Sequence, residues 1–221
     1  MRMVVSKLTE GDDVLRRRLA GDGFLFFRGV IDGEVIRQLQ LAARRAATAS
    51  RLRTAGDLGY AIGKSVHKLR SSVEFRRAQK APSLRPILRA IGAGAPHPMS
   101  HANYARFVPP GEDAGTMPAH QDHHYVKSIR FITLWVPILM PRLSGGIAIA
   151  AGSHTSGPVE HVSGRVAISP TTWHVSEYAC GDVVALDEFT IHKSLPNRSE
   201  SVRVSVDFRY LLTRCRRSGG T

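Results

Sequence analysis

The chain has 221 residues, 43% of them hydrophobic, a length and composition that suit one domain with a sizeable core. Its longest apolar runs, 131–140 and 147–151, are too short to cross a membrane, and charges follow the first five residues too soon for a secretory leader. The two cysteines, Cys180 and Cys215, have no paired spacing, which argues against a disulfide framework and for a soluble cytoplasmic protein. The net charge of +13 comes from scattered arginines such as Arg16, Arg17, Arg18, Arg44, Arg45, Arg76 and Arg77, which read as solvated helix faces. The dense run at 214–217 belongs to a flexible basic tail, 214–221, so the charge alone does not specify a nucleic-acid partner.

In chain order, Thr9 and Asp12 resemble a capping box opening a helix from Glu10 to about Leu19, which Gly21 and Gly23 end. The apolar run Phe24 to Phe27 between glycines reads as a buried strand. Asp32 caps a longer helix from Gly33 to about Ala47, with Val35, Ile36, Leu39 and Ala43 at helical spacing. Residues 51–70 are polar and punctuated by glycine, and read as a loop. Two short helices follow, near Val73 to Lys80 and Leu84 to Ile91, and then a linker from Gly92 to Pro98.

From residue 100 the period changes to two. Strands are expected at Ala102 to Val108, Ile129 to Ile138, Ile147 to Ala151, Val183 to Leu186 and Val202 to Tyr210. The last alternates strictly, with Val202, Val204, Val206 and Phe208 against Arg203, Ser205, Asp207 and Arg209. Many short strands with turns between them imply an antiparallel sandwich or barrel. The expected fold is therefore mainly β, a helix-rich part over 1–98 packing on one sheet of a strand-rich core over 99–213.

The chemistry centres on His120-Gln121-Asp122 and on His192. In an extended segment two residues with one between them project to the same face. An imidazole and a carboxylate side by side, joined by a distant second imidazole, make a two-histidine, one-carboxylate site for Fe(II). Read alone, the first motif is a histidine-rich loop and His192 a strand-end histidine. What lifts the set is Arg203, eleven residues after His192 on the polar face of the following strand. A buried arginine needs an anionic partner, and its planar fork suits a carboxylate. A dicarboxylate that chelates Fe(II) at its keto acid end and reaches Arg203 with the other would use all four residues, and 2-oxoglutarate has that form. Ser194 could add a hydrogen bond to the same carboxylate.

These residues sit in a wider pattern. Gly23 to Val30 followed by a helix, His120-Gln121-Asp122, Gly145-Gly146 through Gly152-Ser153-His154, Gly181-Asp182-Val183-Val184, His192 to Ser199, Arg203 and Arg209-Tyr210 together resemble the phytanoyl-CoA dioxygenase family of Fe(II)/2-oxoglutarate oxygenases. Ala151 stands where the family usually has proline, and the chain is short for it. The resemblance implies a double-stranded β-helix, or jelly roll, holding iron through His120, Asp122 and His192. It implies 2-oxoglutarate contacts from Arg203, Ser194 and Trp135, and O₂ as the oxidant. It also implies decarboxylation of 2-oxoglutarate to succinate and CO₂, coupled to hydroxylation or desaturation of an aliphatic C–H, in natural-product biosynthesis on the leading reading. The retained carboxylate of Asp122 speaks against halogenation.

Asn103 and Tyr104, on the strand entering the site, are candidate co-substrate and substrate contacts. His123 is a candidate for the mouth of the site, as is His124. Lys64 and Lys68, in the long loop, are candidates for an anionic group of a small-molecule substrate. His154 and His174 read as packing residues. Two other readings compete with a small-molecule hydroxylase. One is an alkylation-repair demethylase of nucleic acid, in which Arg203 and Arg209 would act as a pair. The other is a non-catalytic jelly-roll binding protein. A monomer or homodimer is expected, without a membrane or nucleic-acid partner.

Overall fold

A computed structural model describes residues 1–49, 58–92, 97–111, 116–127, 130–168 and 170–212. Strand β1 (Phe24–Phe27) follows helix α1 (Asp12–Asp22), whose C-cap Gly23 lies at φ +78° and donates its N–H to the Leu19 carbonyl. Adding a Cβ at Gly23 would place it 2.4 Å from the Thr190 hydroxyl, so both the positive φ and the close approach favour glycine. Gly21 does not end the helix as expected but lies inside it. The capping box is also displaced: the Glu10 carboxylate accepts from the Lys7 amide at 2.7 Å, and Gly11 precedes α1. Helix α2 (Gly33–Ala49) starts where Asp32 Oδ1 accepts from the amides of Glu34 at 2.9 Å and Val35 at 3.3 Å.

The expected loop over 51–70 is corrected from residue 58 onward, since Leu58–Arg70 forms helix α3. Ala61, Ser65, Val66 and Leu69 are buried at helical spacing, while Gly59 and Gly63 face solvent. The glycines that suggested a loop therefore sit on the face where packing does not decide the conformation; residues 51–57 lie outside the described ones. Helices α4 (Val73–Ala78) and α5 (Arg85–Ala90) follow, and His97–Pro98 of the expected linker forms the short strand β2.

The strands that carry the site are β3 (Tyr104–Val108), β4 (Phe131–Leu139), β5 (Ile147–Ile149), β8 (Val183–Asp187), β9 (His192–Ser194) and β10 (Arg203–Leu211). The hairpin β6 (His161–Val162) and β7 (Arg165–Val166) lies between β5 and β8 in sequence. The large sheet runs β1-β8-β4-β10-β2, with β3 also paired to β10, and all its pairings are antiparallel. The facing layer is small: β5 pairs with β9, extended by bridges between His120 and His192 and between Ile149 and His174.

Alternation along the strands divides the interior. Val204, Val206, Phe208 and Tyr210 of β10, with Ile132, Leu134 and Val136 of β4, pack under Ile36, Leu39 and Ala43 of α2 and Leu69 of α3. Burying each such aliphatic or aromatic side chain contributes about 1.5–3 kcal/mol. The opposite faces of the same strands look between the two sheets. There Phe24, Phe26, Trp135, Ile147, Ile149, Tyr178, Val184 and Leu186 form an apolar end. The polar face of β10 is buried as well, with Arg203, Ser205, Asp207 and Arg209 all under 9% exposed. The architecture is the expected one of helices on one sheet of a β-sandwich, with the charged face of β10 turned inside. No helix among the described residues is long and apolar enough to cross a membrane.

Candidate active site

His120 and His192 are brought together by backbone pairing. The amide of each donates to the carbonyl of the other at 3.0 Å, and the ring centroids lie 4.3 Å apart. The ring Nδ1 of His120 lies 2.8 Å from the Pro118 carbonyl, and that of His192 3.0 Å from the Thr190 carbonyl. A carbonyl only accepts, so each Nδ1 carries a proton, and the neutral ring then presents its Nε2 lone pair, the tautomer a metal requires.

Asp122 does not continue the extended segment but opens the one-turn helix α6 (Asp122–Val126). Gln121 remains extended at φ −108° and ψ 139°, so the carboxylate still reaches the imidazoles, with Oδ1 4.0 Å from His120 Nε2. One ligand atom from each of His120, Asp122 and His192 lies within 4.8 Å of the others, and all three residues are buried.

The electrostatics suit a cation. Burial and the neighbouring His192 lower the His120 pKa to about 3, so the ring is neutral and able to ligate at neutral pH. Burial by itself would raise the Asp122 carboxyl. Arg209, the two imidazoles and the Thr133 hydroxyl outweigh it and hold the carboxyl below its usual range. Arg209 Nη2 donates to Asp122 Oδ1 at 2.8 Å, and Thr133 Oγ1 to Oδ2 at 2.5 Å. Gln121 ties this corner down. Its Nε2 donates to the carbonyls of Gly157 (2.9 Å) and Phe189 (2.7 Å), its Oε1 accepts from Val159 N–H (3.0 Å), and its own amide donates to His161 Nε2 (3.1 Å).

Arg203 is 1% exposed and donates from Nη1 to the carbonyls of Ser144, Gly146 and Leu195. Its Nε is buried without a hydrogen bond, and no carboxylate among the described residues is paired with it. Burial and Arg106 lower its pKa to about 10, which still leaves it charged at neutral pH. A buried guanidinium of this kind fits an anionic ligand. The carbonyl cradle depends on Gly145 (φ +65°) and Gly146, where an added Cβ would lie 2.5 Å from the Pro196 carbonyl and 2.3 Å from the Tyr178 ring respectively.

The other sequence candidates distribute as follows. Ser194 is half-buried on β9, two residues beyond His192 and on the same face. Trp135 is in the apolar end of the interior, edge-on to Tyr178 at 4.8 Å. Asn103 is fully buried with both ends of its amide engaged: Nδ2 donates to Gln79 at 2.5 Å and Oδ1 accepts from the Arg209 amide at 2.6 Å. It therefore braces β10, because the Gln79 side chain and the Arg209 amide engage the two ends of its amide. Tyr104 is 38% exposed, flanked by Arg70 and Arg106 over its ring. His123 turns from the metal cluster and packs on Phe189 at 4.8 Å, since α6 rotates it off the face Asp122 occupies. His124 stacks on His161 at 4.1 Å. Lys64 is on helix α3 and not in a loop; it is exposed, with its ammonium over the Tyr60 ring at 4.7 Å. Lys68 is likewise exposed on α3. Arg209, half of the pair in the demethylase reading, is committed to Asp122.

Sequence reasoning missed Thr133 and Gln121. Thr133 shares strand parity with Trp135, and Gln121 sits between two ligands, so both carried a positional signal.

Residues 19–205 match the family described as phytanoyl-CoA dioxygenase (PhyH). A relative, 1-deoxypentalenic acid 11-beta-hydroxylase of Streptomyces arenae, is 30% identical over 233 residues, covering 91% of this chain and 82% of that protein. The solved structure of the non-heme monooxygenase ThoJ in its apo form has a TM-score of 0.72 at 18% identity, covering 90% of this chain and 78% of its own. That of the epimerase SnoN, in complex with Fe3+, alpha ketoglutarate and nogalamycin RO, has a TM-score of 0.69 at 17% identity, covering 95% and 92%. Both share the fold of this chain. On the family match and the hydroxylase relative, this chain belongs to the phytanoyl-CoA dioxygenase family of non-haem iron, 2-oxoglutarate-dependent oxygenases.

Proposed function

We propose that the protein is an Fe(II)- and 2-oxoglutarate-dependent hydroxylase, or desaturase, of an aliphatic C–H in a small carboxylic acid made in a natural-product pathway. The observation that carries the reading is the pair of Nε2 lone pairs and the Asp122 carboxylate converging within 4.8 Å, with a buried, carboxylate-free Arg203 in the same interior. The acid is supported by the Streptomyces relative, which is named for 1-deoxypentalenic acid.

Iron and 2-oxoglutarate, when bound, would supply the activation of O₂ with release of succinate and CO₂. In this assignment His120, Asp122 and His192 hold the metal on one side. Arg203 takes the distal carboxylate of 2-oxoglutarate, Ser194 adds a hydroxyl donor, and Trp135 walls the co-substrate. Thr133 and Arg209 orient Asp122. The apolar end around Trp135 and Tyr178 keeps water from the interior. A single domain, a monomeric or homodimeric state and a cytoplasmic location belong to the same proposal, the last supported by cysteines without paired spacing.

The test is anaerobic. Fe(II) and then 2-oxoglutarate are added to metal-free protein, and the visible charge-transfer band of the chelate is followed. A band that disappears in His192→Ala, and that needs at least about tenfold more 2-oxoglutarate in Arg203→Ala, is expected from the loss of a buried charged contact. A folded wild-type protein with no band overturns the assignment.

A further inference from the structure

We propose that the cavity between α4, α5 and β2 is an effector site for a small organic anion with an apolar body, linked to the metal ligand Asp122 through Gln79, Asn103 and Arg209. The linkage, but not the site itself, rests on the metal assignment.

The cavity measures about 470 Å³, and its walls include Gln79, Lys80, Leu84, Arg85, Leu88 and Ser100. Leu84 and Leu88 belong to the core between the helices and the large sheet, so the cavity is separate from the metal cluster between the two sheets. Each is 1% exposed, and together they give an apolar floor. Lys80 and Arg85 are exposed at the rim. A cavity with an apolar floor and a few convergent polar groups is the usual form of a small-molecule site.

The bland alternative is a solvated helix face. On this chain such faces mix their signs: Arg16 pairs with Asp12 and Asp13 on α1, and Arg37 with Glu34 on α2. The stretch 58–92 does not. It holds eight lysines and arginines against one acid, Glu74, and Glu74 is taken by Arg45 of α2 at 2.5 Å. Lys80 and Arg85 thus face the cavity without a carboxylate partner among the described residues. An ammonium and a guanidinium together suit a carboxylate or phosphate head group.

Gln79 supplies the third donor and the connection. It is 5% exposed. Asn103 Oδ1 accepts from the Arg209 amide at 2.6 Å, so Asn103 Nδ2 must be the end that donates to Gln79, at 2.5 Å. That fixes Gln79 Oε1 as acceptor, and Ser100 Oγ donates to the same oxygen at 3.1 Å. Gln79 Nε2 has no hydrogen-bond acceptor among the described residues and is left for a ligand in the cavity it lines. From Gln79 the chain of contacts runs to Asn103, to the Arg209 backbone, and by Arg209 Nη2 to Asp122 Oδ1 at 2.8 Å. An anion that fixes Gln79 orders the outer end of this chain. The metal then finds Asp122 already oriented and binds more tightly, and by reciprocity the metal tightens the anion by the same factor.

The test uses the metal-free full chain and three probes: 4-phenylbutyrate, phenyl phosphate and the neutral 4-phenylbutanol. Calorimetry should show at least one anion binding with a Kd of about 1 mM or below, and about tenfold or more tightly than the alcohol. Preference for phenyl phosphate would assign the head group as a phosphate ester, and preference for 4-phenylbutyrate as a carboxylate. The double variant Lys80→Gln, Arg85→Gln should lose this binding, and Arg203→Ala should keep it. Saturating anion should tighten Mn(II), read by competition with a chromophoric chelator, about threefold or more in the wild type and not in the double variant. Gln79→Met should break the linkage. No anion binding, an alcohol bound as well as the anions, or binding that survives the double variant overturns the site; so does binding lost in Arg203→Ala, which would assign it to the co-substrate. Mn(II) affinity that is unchanged or weakened by a bound anion, or tightening that persists in folded Gln79→Met, overturns the linkage. A wild type that binds no Mn(II) overturns the metal assignment and the linkage with it, while the calorimetry still decides the site.

Discussion

Replacing Arg209 with methionine should produce a protein that depends on metal for its stability. The Arg209 guanidinium is 2.8 Å from Asp122 Oδ1, and the two side chains are 8% and 4% exposed. It also donates to the Ala102 carbonyl. Methionine keeps the apolar stem and removes the charge, leaving Asp122 with the Thr133 hydroxyl as its remaining side-chain hydrogen bond among the described residues. Breaking one half of a buried ion pair costs about 3–5 kcal/mol. In a domain of this size each kcal/mol moves the melting temperature by about 2–4 °C, so the metal-free variant should melt on the order of 10 °C below the wild type. A divalent cation can take over as counter-charge to Asp122, and Arg209 no longer competes for Oδ1. The rise in melting temperature on adding Mn(II) or Zn(II) should therefore be larger in the variant than in the wild type. Thermal denaturation in chelator and in excess metal measures both quantities. A variant that is equally stable without metal, or that gains less from metal than the wild type, would refute the view that Arg209 serves as the counter-ion of the ligand carboxylate.

Three further outcomes follow from the same geometry. Burial and the neighbouring Asp187 raise the Glu188 carboxyl to about 7, so its protonated form favours the fold; that stability is full below about pH 4.5 and is lost as the pH rises through 7. At about 1.4 kcal/mol per unit the loss is on the order of 3 kcal/mol, and Glu188→Gln should remove it from the difference in urea midpoint between pH 5 and pH 8; an unchanged difference sinks the assignment. Gln121→Ala deletes three side-chain hydrogen bonds, at roughly 1 kcal/mol each, and loosens the spacing of His120 from Asp122. Its metal affinity, read by competition with a chromophoric chelator, should fall about tenfold or more. Gly146→Ala would drive a methyl to 2.3 Å from the Tyr178 ring, and should destabilise by about 1–3 kcal/mol in urea while raising the 2-oxoglutarate requirement through the displaced Arg203 cradle; a variant as stable as the wild type would show that the ring moves aside freely.

Much of the fold could be read locally. The run Phe24 to Phe27, the Asp32 cap, the parity of β4 and the alternation of β10 each follow from a period or a side-chain oxygen within a few residues. Where local reading failed, a tertiary partner had decided the outcome. Helix α3 is glycine-poor only on the side that meets α2 and β3, and its polar residues hid that side. Asp122 was expected in an extended segment, yet it starts a helical turn because the chain must leave the bridge to His192 and pack His123 onto Phe189. Asn103 looked available for a ligand until Gln79 and the Arg209 backbone claimed it.

The site divides in the same way. The sequence alone determined that two histidines, an aspartate and an arginine recur at a spacing suited to a metal and a dicarboxylate, and that Arg203, Ser205, Asp207 and Arg209 share one face of a strand. Whether that face met solvent or the interior was not in the alternation, because a period of two describes a strand with one wet face and a strand buried on both faces equally well. Tertiary structure decided it by supplying partners from distant parts of the chain. Arg209 can be buried because Asp122 is 2.8 Å away, and Arg203 because three carbonyls receive it. Charges enter an interior only with partners, and those partners lie 87 residues away for Arg209 and up to 59 for Arg203, beyond the reach of any local pattern.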